Sequence, residues 1–221
     1  MIAADIINHM IPPLKMKDTG KRALVWMEEL RVRLLPVTDK SRFLGFLSEE
    51  IILESNNDAL TIAEYELEGS TCFVRENHHI YDVIRVASEN DLSTVAVLNE
   101  SDAFVGVIGI EDTVKAITNN SALQESGAVI VLQIPSIDFS LAEISRIVEG
   151  ENARILSTSA AKDDEDHSLL TLTLKLNQTE VSHIIATLER FGYRIIGRFQ
   201  EEGINTNEQD RYNMLMKYLN I

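Results

Sequence analysis

A chain that repeats a strand–turn–strand–helix unit after about sixty residues must bury its apolar strands against its own copy. Leu34-Leu35-Pro36-Val37-Thr38-Asp39, then Gly45-Phe46-Leu47-Ser48-Glu49-Glu50, returns as Thr94-Val95-Ala96-Val97-Leu98-Asn99, then Gly106-Val107-Ile108-Gly109-Ile110-Glu111-Asp112. Paired copies of such a unit enclose a cleft between them. That predicts a protein that binds something, in preference to a catalyst.

Around each echo the pattern is β-α-β-β-α. In the first repeat, about 1–57, a short helix Ile2 to Asn8 is stopped by Pro12-Pro13 and followed by a strand at Leu14 to Met16. Asp18 or Thr19 caps a helix carrying Ala23, Trp26, Met27 and Leu30 at helical spacing. Strands Leu34 to Thr38 and Phe43 to Leu47 come next, and Ser48 caps a helix reaching Ser55. The second repeat, about 58–122, runs in the same order. It has a short helix at Asp58 to Glu66, a strand Thr71 to Val74 and a helix His79 to Glu89. Strands Thr94 to Leu98 and Phe104 to Ile108 then lead into a helix Glu111 to Ile117.

Beyond a polar linker, Thr118 to Gly127, the order changes to βαββαβ over about 128–199. Strand Ala128 to Pro135 precedes a helix in which Ser140 and Glu143 form a capping box. Strand Arg154 to Ser159, an acidic loop Ala161 to His167 and the period-two strand Leu170 to Leu176 follow. Asn177 with Glu180 is expected to cap a second helix with Val181, Ile184, Ile185, Leu188 and Phe191 on its apolar face; Gly192 ends it, and Tyr193 to Phe199 is the last strand. This is the ferredoxin-like plan, so the fold class is α/β to α+β. The tail, 200–221, predicts a helix from Asn207 to Leu219.

The net charge of −15 and pI near 4.7 argue against nucleic acid and against an anionic membrane surface. A single cysteine, Cys72, lies in an apolar run and reads as a buried structural thiol, as suits a reducing compartment. Met1 to Met10 lacks the basic region of a signal peptide, and the longest apolar stretches are too short to span a bilayer. The expectation is a soluble cytoplasmic protein.

The two Gly motifs and the Pro36-Val37-Thr38-Asp39 strand end resemble tandem cystathionine-β-synthase-type (CBS) domains, the Bateman module, over about Met1 to Asn120. The segment Val129 to Phe199 resembles an ACT-type regulatory domain, and the combination resembles small bacterial proteins of the acetoin-utilisation type. The resemblance implies adenosine-type ligands in clefts between the repeats. The family's Asp accepts both ribose hydroxyls, and the Ser or Thr hydroxyl before it lies at a helix N-terminus that favours phosphate. Carried onto this chain, the ligand-binding set is Pro36, Val37, Ser48, Gly106, Gly109 and Asp112.

The two motifs are each half complete. The first keeps Ser48 but has Ile51 in place of the ribose Asp; the second keeps Asp112 but has Gly109 in place of the hydroxyl. Glu50 and Glu111 stand where many family members carry Arg or Lys, and would repel phosphate. The expected ligand is therefore AMP, adenosine or adenosylmethionine rather than ATP, in the Asp112 site. In the ACT-like segment the family's ligand-turn Gly is replaced by Phe139, which favours packing or dimerisation over small-ligand binding.

No further chemistry stands out. Ser48 lacks a nucleophile elbow. His78 and Asp82 share a helix face without completing a metal set. Asp163-Asp164-Glu165-Asp166 lacks the Gly and spaced Glu of a calcium loop, and Trp26 reads as a core or dimer contact. The chain reads as a non-catalytic ligand sensor, a homodimer through the apolar faces of the helices after the Gly motifs (Ile51, Ile52; Val114, Ile117). The alternative is a scaffolding homodimer with vestigial ligand sites. A small enzyme ranks last, because no acid, base or metal cluster is present to serve it.

Overall fold

The computed structural model describes residues 1–119, 124–163 and 166–200. The chain divides into two compact units, Met1–Asn119 and Asn120–Ile221. The helix expected over Asn207 to Leu219 lies outside the described residues, as do 120–123 of the linker and 164–165 of the acidic loop.

The first unit holds two copies of one plan. Its elements are β1 (Leu14–Lys15), α1 (Gly20–Leu30), β2 (Leu34–Asp39), β3 (Arg42–Ser48) and α2 (Glu49–Glu54). They return as β4 (Phe73–Arg75), α3 (Ile80–Glu89), β5 (Thr94–Leu98), β6 (Phe104–Gly109) and α4 (Ile110–Asn119). Each copy forms a three-stranded sheet, β1-β2-β3 and β4-β5-β6, whose first pair is parallel and second antiparallel. The middle strands read as continuous apolar runs because both faces are covered: every residue from Leu34 to Thr38, and from Thr94 to Leu98, is buried.

Local chemistry sets the helix ends. The Thr19 hydroxyl accepts the Arg22 N–H at 3.4 Å, and the Ser48 hydroxyl accepts the Ile51 N–H at 3.4 Å. The His79 ring nitrogen does the same for Tyr81 at 3.3 Å. Arg31 ends α1 in the left-handed conformation, at φ 56°.

The short segments that lead into each repeat behave differently from expectation. Helices were expected over Ile2 to Asn8 and Asp58 to Glu66; the chain instead forms single 3-10 turns, Ala3–Ile6 and Ile62–Glu64. Their N–H groups pair with carbonyls of the other repeat. Ala3 and Ala4 donate to His78 and Glu76 at 2.8 and 2.9 Å, while Ile62 and Ala63 donate to Asp18 and Met16 at 2.8 and 3.2 Å.

The lead-ins are thus exchanged. Asn8 bridges Val107 of the second repeat, and Glu68 bridges Phe46 of the first. This crossing explains both motif glycines. A Cβ on Gly45 would fall 2.8 Å from the Glu68 carbonyl oxygen, and one on Gly106 would fall 2.5 Å from Ile7 and 3.4 Å from the Asn8 carbonyl oxygen. The cores interleave to match. Ala3 joins a cluster with Phe46, Val83 and Ile108, whereas Ile62 and Tyr65 join Leu14, Leu35 and Val37.

Cys72 belongs to the first of these clusters and is fully buried, its thiol 3.6 Å from the Thr94 carbonyl oxygen. Burial pushes the thiol up to about 11. Native protein is expected to leave Cys72 unlabelled by a disulfide reagent near pH 8, and to give one equivalent on denaturation. Full labelling of the folded chain would contradict the burial.

The second unit consists of β7 (Ala128–Pro135), α5 (Leu141–Gly150), β8 (Ile155–Lys162), β9 (Leu169–Leu176), α6 (Ser182–Arg190) and β10 (Arg194–Gln200). Its sheet has the order β10-β7-β9-β8 with every pair antiparallel, which is the ferredoxin-like topology. Ile130, Leu132, Ile134, Leu172 and Leu174 meet Ile144, Val148, Ile184 and Leu188 in one core. Phe139 packs on the edge of that core.

Ser140 does cap α5, accepting the Glu143 N–H at 3.3 Å, but no capping box forms: the Glu143 carboxylate accepts the Tyr193 hydroxyl instead, at 3.3 Å. Asn177 does not start α6; its side chain accepts the Arg154 N–H at 2.7 Å, and the helix begins at Ser182 beside the Glu180 carboxylate. Phe191 is 48% exposed, because α6 ends at Arg190 and the chain turns away through Gly192 at φ 89°.

A cleft between the exchanged lead-in and the second helix start

The end of β6 and the start of α4 present the second motif. Gly109 closes the strand, its carbonyl oxygen accepts the Thr113 hydroxyl at 3.0 Å, and the Ile110 N–H donates to Ser93 at 3.0 Å. These bonds fix the first turn of α4, and Asp112 projects from it. A Cβ on Gly109 would come 3.5 Å from the Asp112 carboxylate, so the glycine leaves the space beside that carboxylate free.

Opposite Asp112 stands the exchanged lead-in. Ile7, Asn8, His9 and Met10 form one wall and Asp112, Lys115 and Ala116 the other of a wide-open cleft of about 500 Å³. That size suits a drug-sized or nucleoside-sized ligand. The Lys115 ammonium lies 3.8 Å from the Asp112 carboxylate in an exposed pair, which screening makes weak and easily displaced. The cleft therefore offers a carboxylate acceptor beside an apolar and amide-bearing wall.

The remaining predicted residues lie elsewhere. Gly106 sits beneath the lead-in, where its lack of a side chain lets Ile7 and Asn8 approach. Val37 is fully buried in the first repeat's core, and Pro36 is buried on the same strand. Ser48 is engaged as the cap of α2. None of these four lines the Asp112 cleft. Pro36 and Val37, carried over from the family resemblance, are apolar strand residues, which read alike whether they face a cleft or a core.

Of the wall residues, Asn8 falls at the end of the expected first helix and His9 stands alone in the sequence, so neither suggests a site. The only signal for them was positional: Asn8 stands as far ahead of its repeat as Glu68 does ahead of the next. Glu50 and Glu111 are exposed at the two helix starts, as expected of carboxylates favoured there. Asp82 is held below the usual carboxylate range, chiefly by its hydrogen bond from Arg85 at 3.0 Å. Among the described residues no group of three or more His, Cys, Asp and Glu side chains could hold a metal ion, and no helix is long and apolar enough to cross a membrane.

Comparison with known proteins agrees with this architecture. Residues 72–119 match the family model of the CBS domain. The structure is similar to a CBS domain pair/ACT domain protein from Thermotoga maritima, with a TM-score of 0.50 and 18% identity over 54% of this chain and 98% of that one. That likeness shows a shared CBS-pair fold. Among other similar structures, CBSX2 in complex with AMP has a TM-score of 0.46 at 18% identity, covering 52% of this chain and 94% of that one. A CBS domain protein from Thermoplasma acidophilum has a TM-score of 0.47 at 24% identity, covering 53% and 69%.

Proposed function

We propose that this protein is a non-catalytic ligand sensor that binds an adenosine-type molecule in the cleft between the exchanged lead-in and α4. The observation that carries this reading is the placement of Asp112: a carboxylate on a fixed helix start, flanked by an unfilled glycine position and facing a mixed apolar and polar wall. A vicinal diol donates two hydrogen bonds to one carboxylate, each worth about 1.5–3 kcal/mol when the acceptor is charged. The CBS-domain match over residues 72–119 supports the same reading, since it covers this half of the cleft.

The electrostatics favour ligands with little negative charge. Asp112 itself and the neighbouring exposed Glu111 oppose a triphosphate, with Lys115 as the nearest compensating cation. AMP, adenosine and adenosylmethionine are thus preferred over ATP. Ser48 and Ile51 leave the first repeat without an equivalent acceptor, so one ligand is expected per chain. The exposed apolar side chains Val25, Leu53, Ile84 and Val114 on the four helices favour a homodimer through those faces, with Ile52 retained in the core. The same exposed faces support the second reading, a scaffolding homodimer in which neither site is used.

Calorimetric titration with adenosine, AMP, ATP and 2′-deoxyadenosine separates the two. Adenosine is expected to bind about tenfold more tightly than 2′-deoxyadenosine and more tightly than ATP, and Asp112→Ala to weaken it by about tenfold or more, with Ser48→Ala neutral. Equal binding by wild type and Asp112→Ala would overturn the Asp112 site, and no thermal shift with any nucleoside would favour the scaffold. A ligand at a hundred times its Kd adds about 2.7 kcal/mol, which a melting curve resolves readily.

A further inference from the structure

A second cleft of about 520 Å³ opens at the other end of the strands, between the turn joining β2 to β3 and the turn joining β5 to β6. Arg42 begins β3 and Ser48 ends it, so the two ends of that strand are about 20 Å apart at the usual rise per residue. The opening is built, not incidental. The Phe104 N–H donates to the Ser41 carbonyl oxygen at 2.7 Å, and Arg42 bridges Ala103, locking the two turns together. Asn99 accepts the Ser101 and Ala103 N–H groups, both at 2.9 Å. The Arg75 guanidinium holds the Asp102 carboxylate at 2.7 Å and the Asn99 carbonyl oxygen at 3.0 Å.

The floor of this cleft is apolar and partly aromatic: Phe43, Phe73 and Leu98 line it, and Phe43 stacks on Phe104 with ring centroids 6.2 Å apart. Its rim is cationic. Lys40 and Arg42 have no ion-pair or hydrogen-bond partner for their side-chain charges among the described residues, while Asp102 is already neutralised by Arg75. Two unpaired cations over an aromatic floor are a conspicuous departure in a chain of net charge −15. The turn that carries Lys40 is also strained. Lys40 and Ser41 both adopt positive φ, at 45° and 71°, where Gly or Asn would be easier.

We propose that this cleft is a ligand site separate from the Asp112 cleft, and that it takes a small organic anion with a flat apolar body, of the aryl-carboxylate class. The ring lies over Phe73 and Leu98, and the carboxylate meets Arg42, whose fork can bind it through two parallel bonds, with Lys40 adding a point charge. A bare inorganic anion would forgo the floor, and a neutral aromatic would forgo the rim.

Indole-3-acetate is the probe, titrated into the full chain by calorimetry and by amide-resolved NMR. It is expected to bind about tenfold or more tightly than the neutral isostere indole-3-acetamide, and far more tightly than acetate. Amide shifts should centre on 40–43 and 101–104, and saturating adenosine should leave the affinity unchanged. Arg42→Ala should weaken binding by about tenfold. Lys40→Gly, which suits the turn better than lysine, should weaken it while the fold stays intact. The idea fails if acid and amide bind alike, if the shifts map elsewhere, if both variants bind as wild type, or if nothing binds at about 1 mM, the weak end of specific recognition. Because the probe and the cleft differ from those of the nucleoside titration, either proposal can fail without the other.

Discussion

Phe46→Ala is expected to destabilise the first unit by about 3–5 kcal/mol and to abolish nucleoside binding with it. Phe46 is fully buried and is among the largest side chains in that state. It stands on β3 of the first repeat, yet it packs in the cluster built mainly by the second, beside Cys72, Val83 and Ile108. Its ring meets Phe43 edge-on at 5.0 Å, and its backbone exchanges two hydrogen bonds with Glu68, at 2.7 and 2.9 Å. Removing the ring leaves a cavity where the two repeats share one core, and the rigid backbone pairing on either side limits collapse into it. Trp26, the single tryptophan, lies in the same unit under the Arg22 guanidinium at 4.5 Å. Urea unfolding followed by its fluorescence reads the loss directly, as a lower midpoint at unchanged slope. A change under about 1 kcal/mol would show that the repeats do not depend on a common core.

That shared core marks where sequence reading stopped. The strands, the Gly motifs and the caps at Thr19, Ser48 and Ser140 were legible because each depends on residues a few positions away. The ferredoxin-like order of the second unit was legible for the same reason, from period-two and helical spacings. The exchange of lead-ins was not, because Ala3 and Ile62 have apolar and small neighbours that suit a short helix equally well. Only the distant acceptors at His78, Glu76, Asp18 and Met16 hold these segments against the other repeat. The misplaced start of α6 has the same origin: Asn177 looks like a cap until β8 supplies the Arg154 N–H.

The candidate site divides along that line too. Asp112 and Gly109 were legible from motif spacing, and the structure sets them side by side. Asn8 and His9 face them only because the first lead-in crosses to the other repeat. The exchange therefore has a functional consequence. One wall of the cleft is supplied by residues far upstream of the other, so a ligand bridging Asn8 or His9 to Asp112 would tie the lead-in to α4. Ligand binding would then add to the cohesion of the paired repeats by mass action.

In the second unit, Gly127→Ala is expected to cost at least about 3 kcal/mol, at the upper end for overpacking. Gly127 is buried, and a Cβ there would overlap the Leu176 carbonyl oxygen, with the Leu176 carbonyl carbon at 3.0 Å. The obstacle is backbone, and the backbone cannot yield. On one side the Ala128 N–H donates to the Gln178 carbonyl at 2.8 Å; on the other the Lys175 ammonium reaches the Gly127 carbonyl at 3.3 Å. Moving Gly127 away would pull β7 off β9, whose ladder runs from Val129 and Lys175 to Pro135 and Leu169. Two other glycines serve as controls. Gly150 has nothing within 4 Å of its absent Cβ and lies at the end of α5, so Gly150→Ala should stabilise by about 0.5–1 kcal/mol. Gly197 would meet only side chains, Phe199 at 3.1 Å and Val131 at 3.2 Å, which can shift at modest cost. Hydrogen exchange of the β7 and β9 amides orders the three variants. Protection in Gly127→Ala should fall furthest, and protection equal to that of Gly150→Ala would mean that the close approach of Gly127 to Leu176 does not exist in solution.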